Sequence, residues 1–352
     1  MKRSCSCALL AALVTGCAYS VEVVPRAAPG ASALAAQGPV TIEVPPLVGA
    51  ALFAQPVNTR RKVATRVLVA RGLATTIAVV YDDRLAVSLD DGARWNERPL
   101  PTGFSVDTAV VNQRGAVLWF DGALRAIDYG ATHPRELHGR CERGRIGLWG
   151  AMLAIVCRGP TSDEASFERS DDEGRTWRRV TAPEYSQHTD GIEFDSRGNL
   201  QHTWSWSAGC GGGSGGRSLL ARGETAWRAL PTPLAWDYTH VGVDGWGYNA
   251  EGRGERVVIV ARDHGDDREV ALVPGRTQRW SDFDGTLTAL LIDTVVVWLE
   301  GPRVVRVTRV PDAITRFVMD DRGRLLASTE HGVVRWSESR GWNTLDDAIA
   351  LR

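Results

Sequence analysis

Three stretches of this chain gather the residue types that chemistry uses. The densest is Ser170-Asp171-Asp172-Glu173-Gly174-Arg175-Thr176-Trp177, in which Ser170 and Thr176 flank the carboxylate of Asp172. A carboxylate between hydroxyls can relay a proton or hold a cation, yet it can equally accept the backbone N–H groups of a tight turn. Gly174, free to take positive φ, tips the balance toward the turn. The other two stretches are Tyr185-Ser186-Gln187-His188-Thr189-Asp190 and Trp236-Asp237-Tyr238-Thr239-His240. With Trp206, in the run Trp204-Ser205-Trp206-Ser207, they nominate Tyr185, His188, Asp190, Trp206, Asp237, Tyr238 and His240 as ligand contacts. Aromatic faces beside hydroxyls and carboxylates suit a polar or sugar-like ligand. The competing reading is that the rings seal a channel and the Gly/Ser run after Trp206 supplies slack. No residue is assigned a catalytic role. No metal or cofactor is expected: His188 and Asp190 lack a third ligand, and Asp263-His264-Gly265-Asp266-Asp267 lacks the alternating oxygen spacing of a calcium loop. That acidic cluster reads as a hairpin tip.

Strands must position these residues, because almost no convincing helix follows Val40. Short β-branched runs such as RVLVA, TIAVV, AVLWF, TVVVWL and RVVRVTRV are bounded by Gly, Asp, Asn or Pro. An apolar residue followed by an Asp or Asn turn with Gly recurs at Val111-Asn112, Phe194-Asp195, Val243-Asp244, Phe283-Asp284 and Met319-Asp320. Such turns join paired antiparallel strands. SLDDGARW, Ser88 to Trp95, also echoes SDDEGRTW, and Asp90 and Asp172 lie 82 residues apart, or two periods of 41. A period near 40 with about four short strands is that of one propeller blade. The phasing yields seven units: 65–100, 103–140, 143–182, 187–231, 237–275, 276–311 and 312–347. Six or eight blades remain open, since the fifth and sixth units lack a clear outer strand. The segment 41–56 is expected to supply an extra strand that closes the ring and removes free sheet edges.

The two ends and the composition bound the compartment. Lys2 and Arg3 precede an apolar run, Ala8 to Val14, too short to span a membrane, as in a secretory signal. Val14-Thr15-Gly16-Cys17 resembles a bacterial lipobox, which implies cleavage before Cys17 and lipidation of its thiol. Several acyl chains, at about 0.8 kcal/mol per buried CH₂, then hold the protein on a membrane. Ala18, in place of the aspartate associated with inner-membrane retention, points to the outer membrane, facing the periplasm or cell exterior. The expected domains are a signal peptide over 1–16, a flexible Ala/Pro/Gly-rich tether over 17–40 and a single propeller over 41–352. A net charge of −1 leaves no electrostatic footprint for nucleic acid. The expected partners are therefore the membrane, through the anchor, and a protein or glycan ligand. Once Cys5 and Cys7 leave with the signal, Cys141, Cys157 and Cys210 permit one intramolecular disulfide. Cys141–Cys157 is favoured by proximity and Cys157–Cys210 is the second choice.

Ser170-x-Asp172-x-Gly174-x-Thr176-Trp177 resembles the Asp-box, or BNR repeat, of sialidase-like propellers at every consensus position. Ser88, Asp90, Gly92 and Trp95 resemble it as a second copy with Arg94 in place of threonine, and Trp227 and Trp342 end two weaker echoes. The resemblance implies an all-β propeller in which each box is structural and joins the two outer strands, on the face opposite the ligand funnel. It also implies that the box tryptophan packs into its own blade. Asp-boxes occur in propellers of different activities, so a binding or scaffold role leads and a divergent glycan-processing hydrolase is the alternative. A sialidase would need an arginine cluster, an acid/base aspartate and a tyrosine activated by glutamate. The early arginine motif of that family is missing, and only Glu184-Tyr185 pairs a tyrosine with a neighbouring glutamate.

Overall fold

The computed structural model describes residues 38–349 apart from 48–49, 56, 59–61, 73–74, 142, 159–164, 195–196, 209–211, 231–239, 242–245, 264–265, 284–286, 321 and 347–348. Cys17, Asp237, Tyr238 and Cys210 thus lie outside the described residues, as do the side chains of Trp206 and His240.

The chain is a seven-bladed all-β propeller, each blade a meander of four antiparallel strands that are consecutive in sequence. The first blade comprises Arg66–Val69, Ile77–Val80, Arg84–Ser88 and Asn96–Pro99. The third comprises Arg143–Trp149, Met152–Arg158, Ala165–Ser170 and Arg178–Val180, and the fourth Thr189–Phe194, Leu200–Ala208, Gly212–Leu220 and Arg228–Leu230. The fifth and sixth have outer strands after all, Asp266–Pro274 and Arg303–Arg309. The charged start of Asp266–Pro274 hid the first, and the second lies within the β-branched run RVVRVTRV without a sequence mark of its outer position.

The packing explains why the inner runs read as unbroken apolar strings. Hydrophobic clusters lie between blades, so a middle strand is covered on both faces and has no reason to alternate. Val295 to Leu299 are each at most 1% exposed. Leu68, Val87 and Trp119 join the first blade to the second. Phe167, Phe194 and Leu200 join the third to the fourth, and Leu291, Trp298, Leu325 and Trp336 the sixth to the seventh. Val79, Tyr81, Leu326 and Val333 join the seventh back to the first, which closes the ring.

Among the described residues no strand crosses that seam, contrary to the role expected of 41–56. Instead Val40–Thr41 pairs in parallel with the outer strand of the fifth blade, Val40 opposite Ala271. The chain then runs as a strap along the later blades: Ile42 is buried with the fifth and sixth, and Leu47, Leu52 and Phe53 pack against the sixth and seventh. Phe53 meets His331 and Trp342 edge-on, at 5.4 and 6.0 Å between centroids. Each blade completes itself from its own four strands, so the seam is a contact between two sheet faces and exposes no ladder that a strand must cover.

Side chains fasten the seam. The Tyr81 hydroxyl donates to Asp346 Oδ2 at 2.7 Å, and the Val333 N–H donates to Asp346 Oδ1 at 2.9 Å. Asp346 is fully buried. Arg84 Nη2 donates to the Ile349 carbonyl at 2.7 Å, and Ser328 Oγ to that of Ala64.

Candidate functional site

In each meander the first-to-second and third-to-fourth turns share one face of the ring, and the remaining loops share the other. The Asx-Gly turns that begin at Asn112 and Asp320 are first-to-second connections, in the second and seventh blades. Asn112 Oδ1 accepts from the N–H groups of Arg114 and Ala116 at 3.0 and 2.8 Å. Asp320 Oδ1 accepts from Arg322 and Arg324 in the same pattern. The patterned segments 88–95 and 170–177 are third-to-fourth turns on this same face.

The side chains of Ser88, Asp90, Ser170 and Asp172 are spent within the turn, whereas Asp91, Glu173 and Trp177 reach other blades. Ser170 Oγ accepts the Gly174 N–H at 2.8 Å and donates to Asp172 Oδ1 at 2.8 Å. Asp172 also accepts the Thr176 N–H at 2.9 Å and its hydroxyl at 2.7 Å. These bonds, the Thr176 hydroxyl foremost, hold the Asp172 carboxyl down at about 2. Ser88, Asp90 and Gly92 repeat the pattern, with Arg94 Nε in place of the threonine hydroxyl at 2.7 Å. A carboxylate held so firmly in its ionised form is poorly suited to proton transfer near neutrality. The tryptophans do not pack into their own blades alone. Trp177 Nε1 donates to the Leu137 carbonyl of the preceding blade at 3.1 Å, and Trp95 packs against the seam cluster. Each of these tryptophans immediately precedes the outermost strand, where the next available apolar surface belongs to the neighbour.

The opposite face opens into the central channel. The inner strands of the first four blades line a cavity of about 330 Å³. The entrance of each carries a charged residue: Arg66, Asp107, Arg145 and Asp190, which alternate in sign around half the ring. Deeper in, Glu193 projects into the lumen, and Arg71 Nη2 crosses to Asp282 Oδ1 at 3.1 Å. Asp282 Oδ2 also accepts the Met319 N–H at 2.6 Å, so one carboxylate ties the first, sixth and seventh blades at the channel base. Enclosure by protein pushes the Glu193 carboxyl up, Arg71 opposes this and Asp282 assists it. Burial likewise lowers Arg66, against the pull of Asp107, and its Nη1 donates to the Val106 carbonyl.

Of the nominated ligand contacts, Asp190 stands in this channel, exposed at its mouth. Tyr185 lies on the same face in the loop entering the fourth blade, at φ 59°, and stacks on Trp204 at 4.2 Å. Its hydrogen bond to Glu184 raises the phenol, which disfavours the phenolate that a nucleophilic tyrosine needs. His188 closes the short 3₁₀ turn Ser186–His188 beside it. Trp206 and His240 fall in strands of the fourth and fifth blades, with side chains outside the described residues, and Asp237 and Tyr238 lie outside them altogether. Arg66, Asp107, Arg145 and Glu193 escaped the sequence reading. Their signal was a charge at the mouth, or late in the run, of an otherwise apolar inner strand.

Cys141 and Cys157 are disulfide-bonded, with Cα atoms 5.2 Å apart. The bond ties the entrance of the third blade to that blade's second strand. Among the described residues no cluster of three or more His, Cys, Asp or Glu could hold a metal, and no helix is long and apolar enough to cross a membrane.

No family model and no curated protein matches the chain. Solved structures do resemble it. The extracellular domain of the putative hybrid two-component system BT4673 from B. thetaiotaomicron aligns at TM-score 0.44 and 10% identity, over 79% of this chain and 38% of that one. The chain thus spans about two fifths of that protein's length. YCF48 from Cyanidioschyzon merolae aligns at TM-score 0.47 and 10% identity, over 80% of this chain and 97% of that one. Streptogramin B lyase aligns at TM-score 0.47 and 11% identity, over 80% and 96%. At these values none bears on ligand or activity.

Proposed function

We propose that the protein is an extracytoplasmic binding protein, held to the outer membrane by acyl chains on Cys17, whose propeller engages a protein or glycan ligand at the channel mouth. In this reading the segments 88–95 and 170–177 are Asp-boxes and serve the frame alone. The observation that carries the proposal is the division of labour between faces. The patterned polar residues of the turn face are consumed internally, whereas the opposite face presents a charged cavity beside the Tyr185–Trp204 stack. Exposed aromatic stacking surface next to charge is what a sugar or peptide contact uses. A thermal-shift screen of the purified full chain against glycans and small molecules tests it. A rise in melting temperature that Trp204→Ala abolishes supports the reading, and no rise with any compound removes it.

One observation favours the hydrolase alternative. Glu193, its carboxyl raised by enclosure, shares the channel with Arg66, Arg71 and Arg145, and a raised carboxyl is what a general acid requires. Turnover of a fluorogenic glycoside that Glu193→Gln abolishes would support this alternative over binding alone.

A further inference from the structure

The channel mouth holds charges of both signs that the fold leaves unused. Arg145, Asp190 and Glu193 all face the lumen and are exposed there. None of the three makes an ion pair or side-chain hydrogen bond among the described residues. Elsewhere Arg71 is engaged by Asp282, Arg158 by the Thr189 carbonyl and Arg66 by the Val106 carbonyl, with Asp107 attracting Arg66 across the first two blades.

The three unspent groups come from two adjacent inner strands. A Cβ on Gly147 would lie 3.0 Å from the Ile192 carbonyl oxygen, so the strands abut closely at that level. Arg145 and Asp190 each lie two residues nearer the mouth and therefore stand at matching levels. Glu193 lies below them. A cation and two carboxylates thus face one cavity of about 330 Å³, within the size range of small-molecule sites.

We propose that this cavity binds a small zwitterion, its carboxylate on the Arg145 guanidinium and its ammonium between Asp190 and Glu193. The proposal rests on the reading of the channel as the binding site and names the class of ligand. Charge complementarity selects the class. An anion would pair Arg145 and leave two carboxylates facing a partly dehydrated lumen, and a cation would do the reverse. A neutral sugar would exclude water from all three without replacing its hydrogen bonds, which is costly for charged groups. Only a ligand with both charges satisfies them together. The enclosure that pushes Glu193 up is the same force that an incoming ammonium would relieve.

The test is a calorimetric titration of the purified full chain with an ω-amino carboxylate series from glycine to 8-aminooctanoate, which acts as a ruler for the charge separation. Hexanoate, hexylamine and glucose serve as anionic, cationic and neutral controls. One length should bind at least about tenfold more tightly than either monofunctional control, the loss expected for one charge-assisted contact. Arg145→Gln and Asp190→Asn should each cost about tenfold, and Arg145→Lys should recover part of the loss. Unfolding curves on each variant separate lost binding from lost fold. The proposal fails if no zwitterion surpasses the controls, or if Arg145→Gln binds as the parent does. Binding of glucose or other glycans without zwitterions would overturn the ligand class and leave the binding reading standing. No binding by any probe would remove both.

Discussion

The turns at 88–95 and 170–177 share a sequence pattern and an internal geometry, yet they do different work between blades. In each, the residue after the aspartate takes positive φ, at 61° for Asp91 and 62° for Glu173, and reaches back to a basic residue of the preceding blade. Glu173 meets Arg114 Nε at 2.9 Å, with the arginine 69% exposed. Asp91 accepts both Arg324 terminal nitrogens, at 2.6 and 2.9 Å, and lies 2.8 Å from Arg335 Nη1. The first clasp joins blades that the chain already connects. The second bridges the seam, where the first and seventh blades are farthest apart in sequence. Non-covalent bonding is concentrated where chain continuity is missing, and Asp346 adds a buried bridge at the same place.

If that is right, the largest single loss should come from the seam's buried carboxylate. Asp346→Ala removes a buried carboxylate that accepts from the Tyr81 hydroxyl and the Val333 N–H, at a cost of about 3–5 kcal/mol. Urea unfolding of parent and variant measures it. A loss below about 1 kcal/mol would mean that the hydrophobic seam closes unaided. The paired clasps are the next comparison. Asp91→Ala leaves two half-buried arginines without their shared partner and should cost about 2–4 kcal/mol, whereas Glu173→Ala should cost under about 1 kcal/mol because Arg114 is mostly solvated. Equal losses would break the distinction between seam and interior.

Acid should strike the interior. His202, fully buried between the third and fourth blades, shares a 3.0 Å bond with Thr189 Oγ1. The Thr189 hydroxyl donates to the Ser186 carbonyl, so imidazole Nε2 is the donor, and Nδ1 has no partner among the described residues. Burial, aided by Arg158, lowers the imidazole to about 4, below its ordinary 6.5. The unfolded chain therefore takes up the proton first. Stability is full above about pH 6.5 and declines as pH falls toward 4, by about 2 kcal/mol between pH 7.5 and 5. His202→Gln should flatten that slope in unfolding curves taken across the range. An unchanged slope would assign the acid response to another group.

Much of this frame was legible because its signals are local. Turn chemistry repeats at Asn112 and Asp320, and the 82-residue echo from Asp90 to Asp172 set a period that fits all seven blades. Outer strands were harder, since Asp266–Pro274 opens on charged residues that read as a hairpin tip, and Arg303–Arg309, though read as a β-branched run, carries no signal of its place in the blade. The channel was hardest of all. Arg66, Asp107, Arg145 and Asp190 are separated by about one period each, and only the radial arrangement of blades makes them neighbours. Closure was misplaced for a related reason. Tyr81 and Asp346 lie 265 residues apart, and no local pattern announces a pair at that distance.

The smallest effect isolates a single hydrogen bond in the comparison of the two turns. Trp177 Nε1 donates to the Leu137 carbonyl, and the ring lies edge-on to His138 at 5.3 Å. Trp95, at the equivalent position on the seam, has a buried Nε1 with no partner among the described residues. A phenylalanine keeps most of the apolar contact at either site and removes the N–H. Trp177→Phe should therefore cost about 1 kcal/mol more than Trp95→Phe, because only the former loses a made bond and strands an acceptor. Differential unfolding in urea resolves a gap of that size. Equal costs would show that Leu137 finds solvent once the indole is gone, and that both tryptophans act through apolar area alone. A larger cost at Trp95 would point the other way, to a seam that depends on the full width of the indole where the chain offers no covalent support.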